Sequence, residues 1–138
     1  MKWLVAEFPR NKNDTSISTV IVSNEGYDNV NGTYKCNKDF NDMWQGAPVF
    51  TKPGIYDGDD VIYFIYKHEY DDEDALCWYL SAFPIGAQPG DGAQYVFYYN
   101  VGNDDPERIP PATNWKKDRG YGISKNPPPF IVPVKEVL

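Results

Sequence analysis

The chain contains 138 residues, of which 41% are hydrophobic and 16% aromatic, and its 20 acidic and 13 basic residues give a net charge of -7. This length suits one domain with a packed core, and the acidic balance disfavours nucleic acid because phosphate backbones are repelled. No apolar run approaches the roughly 20 residues of a membrane-spanning helix. Glu7, Pro9 and Arg10 also interrupt the N-terminal apolar run before it reaches signal-peptide length. The sequence therefore predicts a soluble, cytoplasmic protein that binds neither nucleic acid nor membrane.

Short runs of aromatic and β-branched residues, separated by Gly, Pro, Asn and Asp, follow one another along the chain, and no long stretch has helical periodicity. This spacing predicts an all-β fold, either an antiparallel sandwich or a partly open barrel, with about seven or eight short strands. We expect one domain over residues 1–138. In chain order, the predicted strands are Lys2–Phe8, Ile17–Val22, Gly32–Asn37, Ala47–Lys52, Val61–His68, Leu76–Phe83, Gln94–Val101 and Phe130–Lys135.

Three of these runs, Val61–His68, Leu76–Phe83 and Gln94–Val101, are apolar on both faces. Strands that are covered on both sides have this composition, so these three should lie at the centre of the fold. The first two should form a β-hairpin whose loop is Glu69–Ala75. Trp78 lies inside the second run and is therefore predicted to be a core residue.

Residues 103–129 form the longest predicted loop, and their Pro and Gly residues break regular strand pairing. A loop of this length in a compact domain is usually functional. Aromatic side chains in this loop, and in the loop before Ala47–Lys52, provide large contact areas for a partner. The predicted partner-binding residues are Trp44, Trp115, Tyr121, Pro110 and Pro111. Both tryptophans are expected on the protein surface.

Two short acidic runs, "DGDD" and "DDED", are the most charged segments of the chain. Several oxygens on one loop suit calcium, but neither run has the glycine and glutamate of the helical calcium loop. We interpret these acids as solvated strand ends that keep the sheet edges soluble, and a calcium site shared between two loops is the alternative. The candidate calcium ligands are Asp57, Asp59, Asp60, Asp71, Asp72 and Asp74. No other cofactor is predicted.

Histidine and cysteine, which often carry catalysis or bind metals, are rare in this chain. His68 is the only histidine, and it is expected on the surface at the end of a strand. Cys36 and Cys77 are interpreted as small buried side chains, and a disulfide between them is the alternative. The sequence contains no Gly-x-Ser-x-Gly, no phosphate-binding glycine loop and no His-Glu-x-x-His motif. We therefore predict that the protein is not an enzyme.

Five motifs follow in the order "VSNEGYDNVNGTY", "WQGAPVF", "CWYLSAF", "YVFYYN" and "PPATNW", and "NPPP" closes the series. In this order they resemble a short Trp/Tyr-rich domain of uncharacterised protist, algal and oomycete proteins. The pattern of that domain is Val-Asn-Gly-x-Tyr, Gly-x-Pro-x-aromatic, a Trp strand, a Tyr-Tyr strand and Pro-Pro before a last Trp. The resemblance covers roughly Val22 to Pro129. It implies a domain that occurs in tandem or beside signalling modules, and it implies no activity and no catalytic residue.

Turns and core aromatic residues make up these motifs, so they specify a fold and not a reaction. We predict a non-catalytic protein-interaction or scaffold module with a protein partner. A lectin-like carbohydrate-binding module, assisted by calcium, is the alternative, because exposed aromatic rings also stack on sugar rings. A glycoside or ester hydrolase is the third candidate, since two facing carboxylates are enough for glycoside hydrolysis.

Overall fold

The computed structural model describes residues 3–6, 17–24, 26–40, 44–69, 77–101, 109–118 and 126–137. Nine β-strands lie within these ranges, together with two single-turn 3-10 helices at Asp28–Val30 and Lys38–Phe40. The strands are β1 Trp3–Ala6, β2 Thr19–Ser23, β3 Gly32–Cys36, β4 Phe50–Tyr56, β5 Asp59–His68, β6 Cys77–Pro84, β7 Tyr95–Asn100, β8 Lys116–Lys117 and β9 Phe130–Val137.

All nine strands belong to one sheet in the order β1-β9-β2-β3-β4-β5-β6-β7-β8, and every pairing is antiparallel. The sheet is curled into a half-barrel. The predicted all-β class is confirmed, and the partly open barrel is the architecture that the chain adopts. The predicted hairpin is also confirmed, because β5 and β6 pair from Val61 with Pro84 to His68 with Cys77. Its loop lies mostly outside the described residues.

Strand β4 continues past its predicted end at Lys52 to Tyr56, through a proline and a glycine that normally break strands. Pro53 lies beyond the two residues of β4 that pair with β3, so its missing N–H removes no bond to that strand. At Gly54, an added Cβ would lie 2.5 Å from Cε2 of Tyr63. Glycine is therefore required there by the packing of the tyrosine ring, and it does not end the strand.

The inner, concave face of the sheet carries the main core. In one row, Phe50 is opposite Ile65, Ile65 is opposite Leu80, and Leu80 is opposite Tyr98, and all four side chains are fully buried. Each such side chain contributes about 1.5–3 kcal/mol by its removal from water. Trp78 is also fully buried within this core, which confirms its prediction.

A second apolar cluster covers the outer face of β5 and β6, so these two strands are buried on both sides as predicted. The third predicted central strand, β7, lies beside the edge strand β8, so its predicted central position is wrong. Phe64, Tyr66 and Phe83 form its centre, and the hydroxyls of Tyr66 and Ser81 are 3.0 Å apart. The covering residues come from 38–40, 44–49 and 85–94, which we call the outer cover; they include Phe40, Trp44 and Ala87. Two connections that start at opposite ends of the sheet thus meet over its outer face.

A segment of the predicted loop, residues 109–118, connects the two sides of the half-barrel, and we call it the strap. The amide of Ile131 in β9 donates to Ala112 O at 3.0 Å. The side chain of Asn100 in β7 donates to Thr113 O at 2.8 Å. β9 and β7 are far apart in the strand order, and these bonds attach both strands to adjacent residues of the strap. The predicted loop 103–129 therefore contains a structured segment and the short strand β8.

Neither cysteine forms a disulfide, so the alternative with a Cys36–Cys77 bridge is wrong. Cys77 is buried, in agreement with its interpretation as a small core side chain, and Cys36 is half-buried.

Candidate functional site

Trp115 was expected on the surface, and this expectation is wrong. Its side chain is 2% exposed and lies in the main core, and its indole N–H donates to Pro111 O at 2.7 Å. Pro110 is buried and Pro111 is half-buried. The strap therefore inserts its aromatic side chain into the half-barrel, and it does not offer that side chain to a partner. Tyr121 lies outside the described residues.

Trp44 is half-buried, and its contacts hold the outer cover together. It begins a tight turn in which Gln45 and Gly46 have φ of 48° and 88°, and its backbone pairs with Ala47. The indole N–H donates to Nδ1 of His68 at 2.9 Å, and the two rings are nearly parallel with centroids 5.8 Å apart. The indole ring also lies close to the 85–94 segment, since a Cβ added at Gly90 would be 3.6 Å from Cζ2 of Trp44. Trp44 thus joins the two connections that form the outer cover to the sheet.

His68 lies at the end of β5 as predicted, but its side chain is only 8% exposed, so its expected surface position is wrong. Its Nδ1 accepts from the indole of Trp44 and from the amide of Gln45, each at 2.9 Å. Both donors require an unprotonated Nδ1, which places the proton of the neutral ring on Nε2. Burial lowers the pKa of His68 below its ordinary value of 6.5, and the Glu69 carboxylate offsets part of this shift. This histidine therefore holds the outer cover in its neutral form.

The described acids of the calcium hypothesis lie in the β4–β5 hairpin. Asp57 and Gly58 form its two-residue turn with φ of 51° and 82°, which is the positive-φ geometry of tight hairpins. Asp59 and Asp60 begin β5, and all three carboxylates are exposed. Across the ranges that the structure describes, no three His, Cys, Asp or Glu side chains gather closely enough to hold a metal ion. The remaining candidates, Asp71, Asp72 and Asp74, lie outside those ranges.

Three tyrosines from separate connections lie together at one end of the sheet. Tyr27 belongs to the β2–β3 connection, Tyr56 ends β4 and Tyr95 begins β7. Alternate connections of an antiparallel meander fall at the same end of the sheet, and the curl of the half-barrel then brings their side chains across the inner face. We call Tyr27, Tyr56 and Tyr95 the tyrosine rim.

The rings of the tyrosine rim rest on two buried aromatic side chains, Phe97 and Tyr63. Tyr27 stacks on Phe97 with centroids 5.1 Å apart, and Tyr56 meets the same ring edge-on at 5.5 Å. Tyr95 touches Tyr56 with centroids 5.0 Å apart, although β4 and β7 are separated by two strands. Tyr63 also contacts Phe97, with ring centroids 5.9 Å apart. The rim is thus a set of fixed rings, and Tyr95 is 37% exposed to solvent.

Hydroxyl groups of the rim and of its support are bonded to neighbouring polar groups. Tyr63 donates to Ile55 O, and the side-chain amide of Asn29 donates to the Tyr27 hydroxyl at 3.2 Å. Burial, followed by a hydrogen bond with Tyr27, raises the pKa of Tyr63 well above its ordinary value. The Tyr63 phenol therefore stays neutral across the physiological pH range, and the rim presents ring faces and hydroxyl groups.

Exposed acidic residues lie at the same end of the sheet as the tyrosine rim. The carboxylates on the same three connections and their flanking residues are Asp28, Asp57, Asp59, Asp60 and Asp91. Ile55 and Ile85 are exposed as well, but Ile55 alternates with Tyr56 along β4 and Ile85 begins the 85–94 segment of the outer cover, so both lie on the outer face. Tyr95 is therefore the exposed ring of the rim at an acidic end of the sheet.

None of the rim tyrosines was among the residues predicted to bind, although a signal exists in the sequence. Tyr27 precedes the acid-amide pair "DN", Tyr56 precedes the turn "DG", and Tyr95 opens "YVFYY". Each tyrosine therefore stands beside a turn, and the three turns alternate along the meander. Their contact requires the curl of the sheet, which strand patterns do not give.

Comparisons with known protein families, curated proteins and solved structures give no match. The resemblance to the Trp/Tyr-rich domain therefore stays a prediction. Among the described residues, no helix has the length and apolar character needed to cross a membrane.

Proposed function

We propose that the protein is a non-catalytic protein-interaction module that binds its partner through the tyrosine rim. One observation carries this proposal: three tyrosines from three connections form a contiguous set of rings, and Tyr95 is 37% exposed. Tyrosine is among the residues most enriched at the centres of protein interfaces, because its large ring is immobilised at low entropic cost.

Support from below makes these rings suitable for binding. Phe97 and Tyr63 are fully buried and contact the rim, so the tyrosines are held in place before a partner arrives. Binding to preorganised side chains costs less conformational entropy than binding to mobile ones. Trp115, by contrast, has both its ring and its N–H occupied within the protein.

A selection of random peptides against the full chain tests the proposal without assuming the chemistry of the partner. The enriched peptides are then titrated against the wild type, Tyr95→Ala and Val101→Ala. Val101 is the matched control, since it is 48% exposed just beyond the other end of the same strand. We expect Tyr95→Ala to weaken binding by about tenfold or more, as at interface hot spots, and Val101→Ala by less than about twofold.

Urea denaturation of both variants accompanies the titrations, so that a loss of binding is not confused with a loss of fold. Equal affinity of the wild type and Tyr95→Ala for all enriched peptides would contradict the proposal. An equal loss in Tyr95→Ala and Val101→Ala would also contradict it, because the effect would then not be specific to the rim.

Carbohydrate binding is a second candidate, favoured by the bond between the exposed Asn29 amide and the hydroxyl of the half-buried Tyr27. Sugar sites combine a ring face with amide and hydroxyl groups in this way. A glycan array probed with the wild type and Tyr95→Ala, with and without calcium, tests it. Binding of a glycan that is lost in Tyr95→Ala would favour this function over protein interaction. The predicted absence of enzymatic activity and the hydrolase alternative both stay predictions.

A further inference from the structure

Negative charge is placed directly beside the rings of the tyrosine rim. Asp59 is the cross-strand partner of Tyr56 in the β4–β5 hairpin. Paired residues of antiparallel strands project from the same face with Cβ atoms about 5 Å apart, so the Asp59 carboxylate lies beside the Tyr56 ring. Asp28 directly follows Tyr27 in the chain, and both Asp28 and Asp59 are exposed. Tyr56 thus has an exposed carboxylate beside its ring, and Tyr27 has one on the next residue of its connection.

Positive charge is scarce at this end of the sheet. Of the basic side chains that the structure describes, Lys35, Lys38, Lys67, Lys116 and Lys117 belong to strands or turns nearer the opposite end. Lys52, opposite Tyr63, is the described basic side chain closer to the rim; its ammonium donates to Pro53 O at 3.3 Å and keeps its charge. The exposed carboxylates of Asp28, Asp57 and Asp59 outnumber it at this end of the sheet, in a chain whose net charge is -7.

We propose that the tyrosine rim binds an arginine-rich, extended segment of a partner protein, an inference that rests on the proposed function and names the chemistry of the partner. A guanidinium group is planar, so it stacks on a tyrosine ring and at the same time donates paired hydrogen bonds to a carboxylate. Tyr56 with Asp59 supplies such a ring and carboxylate pair, and Asp28, next to Tyr27 in the chain, adds a second exposed carboxylate. One arginine of an extended chain engages the Tyr56–Asp59 pair, and another engages Asp28.

Lysine fits the same surface less well. Its ammonium is a strongly hydrated point charge that forms no planar stack and no paired bonds with a carboxylate. An acidic segment would be repelled by the exposed carboxylates, and a neutral segment would leave them unpaired. The rim therefore selects arginine over lysine, and both over uncharged or acidic segments.

Fluorescence anisotropy with three labelled probe peptides tests the inference on the full chain. The probes have equal length and alternate glycine with arginine, lysine or glutamate. We expect the arginine probe to bind several-fold more tightly than the lysine probe, the glutamate probe not to bind, and added salt to weaken the arginine complex. Asp59→Asn should weaken arginine-probe binding by about three- to tenfold.

Asp39→Asn is the matched control, because it removes the same charge from an exposed residue of the Lys38–Phe40 turn, away from the rim. We expect it to change the affinity by less than about twofold. Equal losses in Asp39→Asn and Asp59→Asn, equal affinities for the arginine and lysine probes, or no binding of the arginine probe would overturn the inference.

The proposed function and this inference fail in different ways. If Tyr95→Ala abolishes binding of the selected peptides while Asp59→Asn and salt leave it unchanged, the rim binds proteins but the arginine assignment is overturned. If Tyr95→Ala leaves both the selected peptides and the arginine probe bound, the rim itself is not the binding surface.

Discussion

The strap and the tyrosine rim both close the concave face of the half-barrel with aromatic side chains, but they do so to different degrees. Trp115 in the strap is 2% exposed and its indole N–H is bonded to Pro111 O. Tyr95 in the rim is 37% exposed, although its neighbours in the rim are fixed on buried rings. An aromatic residue in a loop thus indicates binding only where its ring remains accessible, and the deciding property is burial in the folded chain.

Removal of the strap's aromatic side chain gives the largest expected effect. Trp115→Ala deletes a buried indole from the main core and should lower the free energy of unfolding by about 3–5 kcal/mol. Tyr95→Ala should lower it by much less, because its ring is partly solvated. Urea denaturation of the two variants measures this difference. Equal stabilities would contradict the distinction between a structural strap and an accessible rim.

Packing beneath the rim is tested next. Gly54→Ala places a methyl group against the buried ring of Tyr63, which supports the rim, and it should destabilise the fold by about 1–3 kcal/mol. Tyr63→Val removes the ring that the methyl group would meet, so the cost of Gly54→Ala should be smaller in that background. A double-mutant cycle by urea denaturation measures the coupling. Additive costs would mean that the added methyl group does not meet the Tyr63 ring.

Acidification gives the smallest expected effect, and it acts on the outer cover and not on the strap or the rim. Because the pKa of His68 is lowered in the folded protein, the unfolded chain binds more protons below pH 6.5. Stability should therefore be complete above pH 6.5 and fall as the pH drops from 6.5 towards the lower folded-state pKa. Protonated Nδ1 also loses the bonds from Trp44 and Gln45.

His68→Asn is the control for this pH dependence, because an amide oxygen can accept in place of Nδ1 without titrating. Melting temperatures at about pH 8 and about pH 6 should differ more for the wild type than for His68→Asn. The same pH dependence in both proteins would contradict the assignment to His68. Binding at the tyrosine rim should be unaffected by His68→Asn, since His68 contacts the outer cover and lies at the end of β5 opposite to Asp59.

Alternating and two-sided apolar patterns predicted the central strands β5 and β6 correctly. The β5–β6 hairpin and the buried Trp78 follow from patterns within single runs. The strand end predicted at Lys52 is wrong. β4 continues through Pro53 because this part of the strand does not pair with β3, and through Gly54 because the Tyr63 ring packs against that position. The residue pattern of a single segment does not show such contacts, because they involve residues that are distant in the sequence.

The binding residues were harder to predict than the strands, for the same physical reason. Trp115 lies in a Pro-rich segment that is polar in sequence, and bonds with distant residues such as Ile131 and Asn100 fix that segment across the half-barrel. The contact between Tyr56 and Tyr95 depends on the curl of the sheet across two intervening strands. The sequence shows that each of these tyrosines stands beside a turn, but it does not show which turns lie close together in the folded chain.

Mapping of a bound peptide by NMR tests the central claim most directly. Backbone amide shifts of the full chain are recorded while the tightest peptide from the random selection is added. We expect the largest changes in the β2–β3 connection, at the 57–58 turn and at the start of β7, with small changes in the strap. Changes centred on residues 109–118, or on the outer cover around Trp44, would contradict this claim.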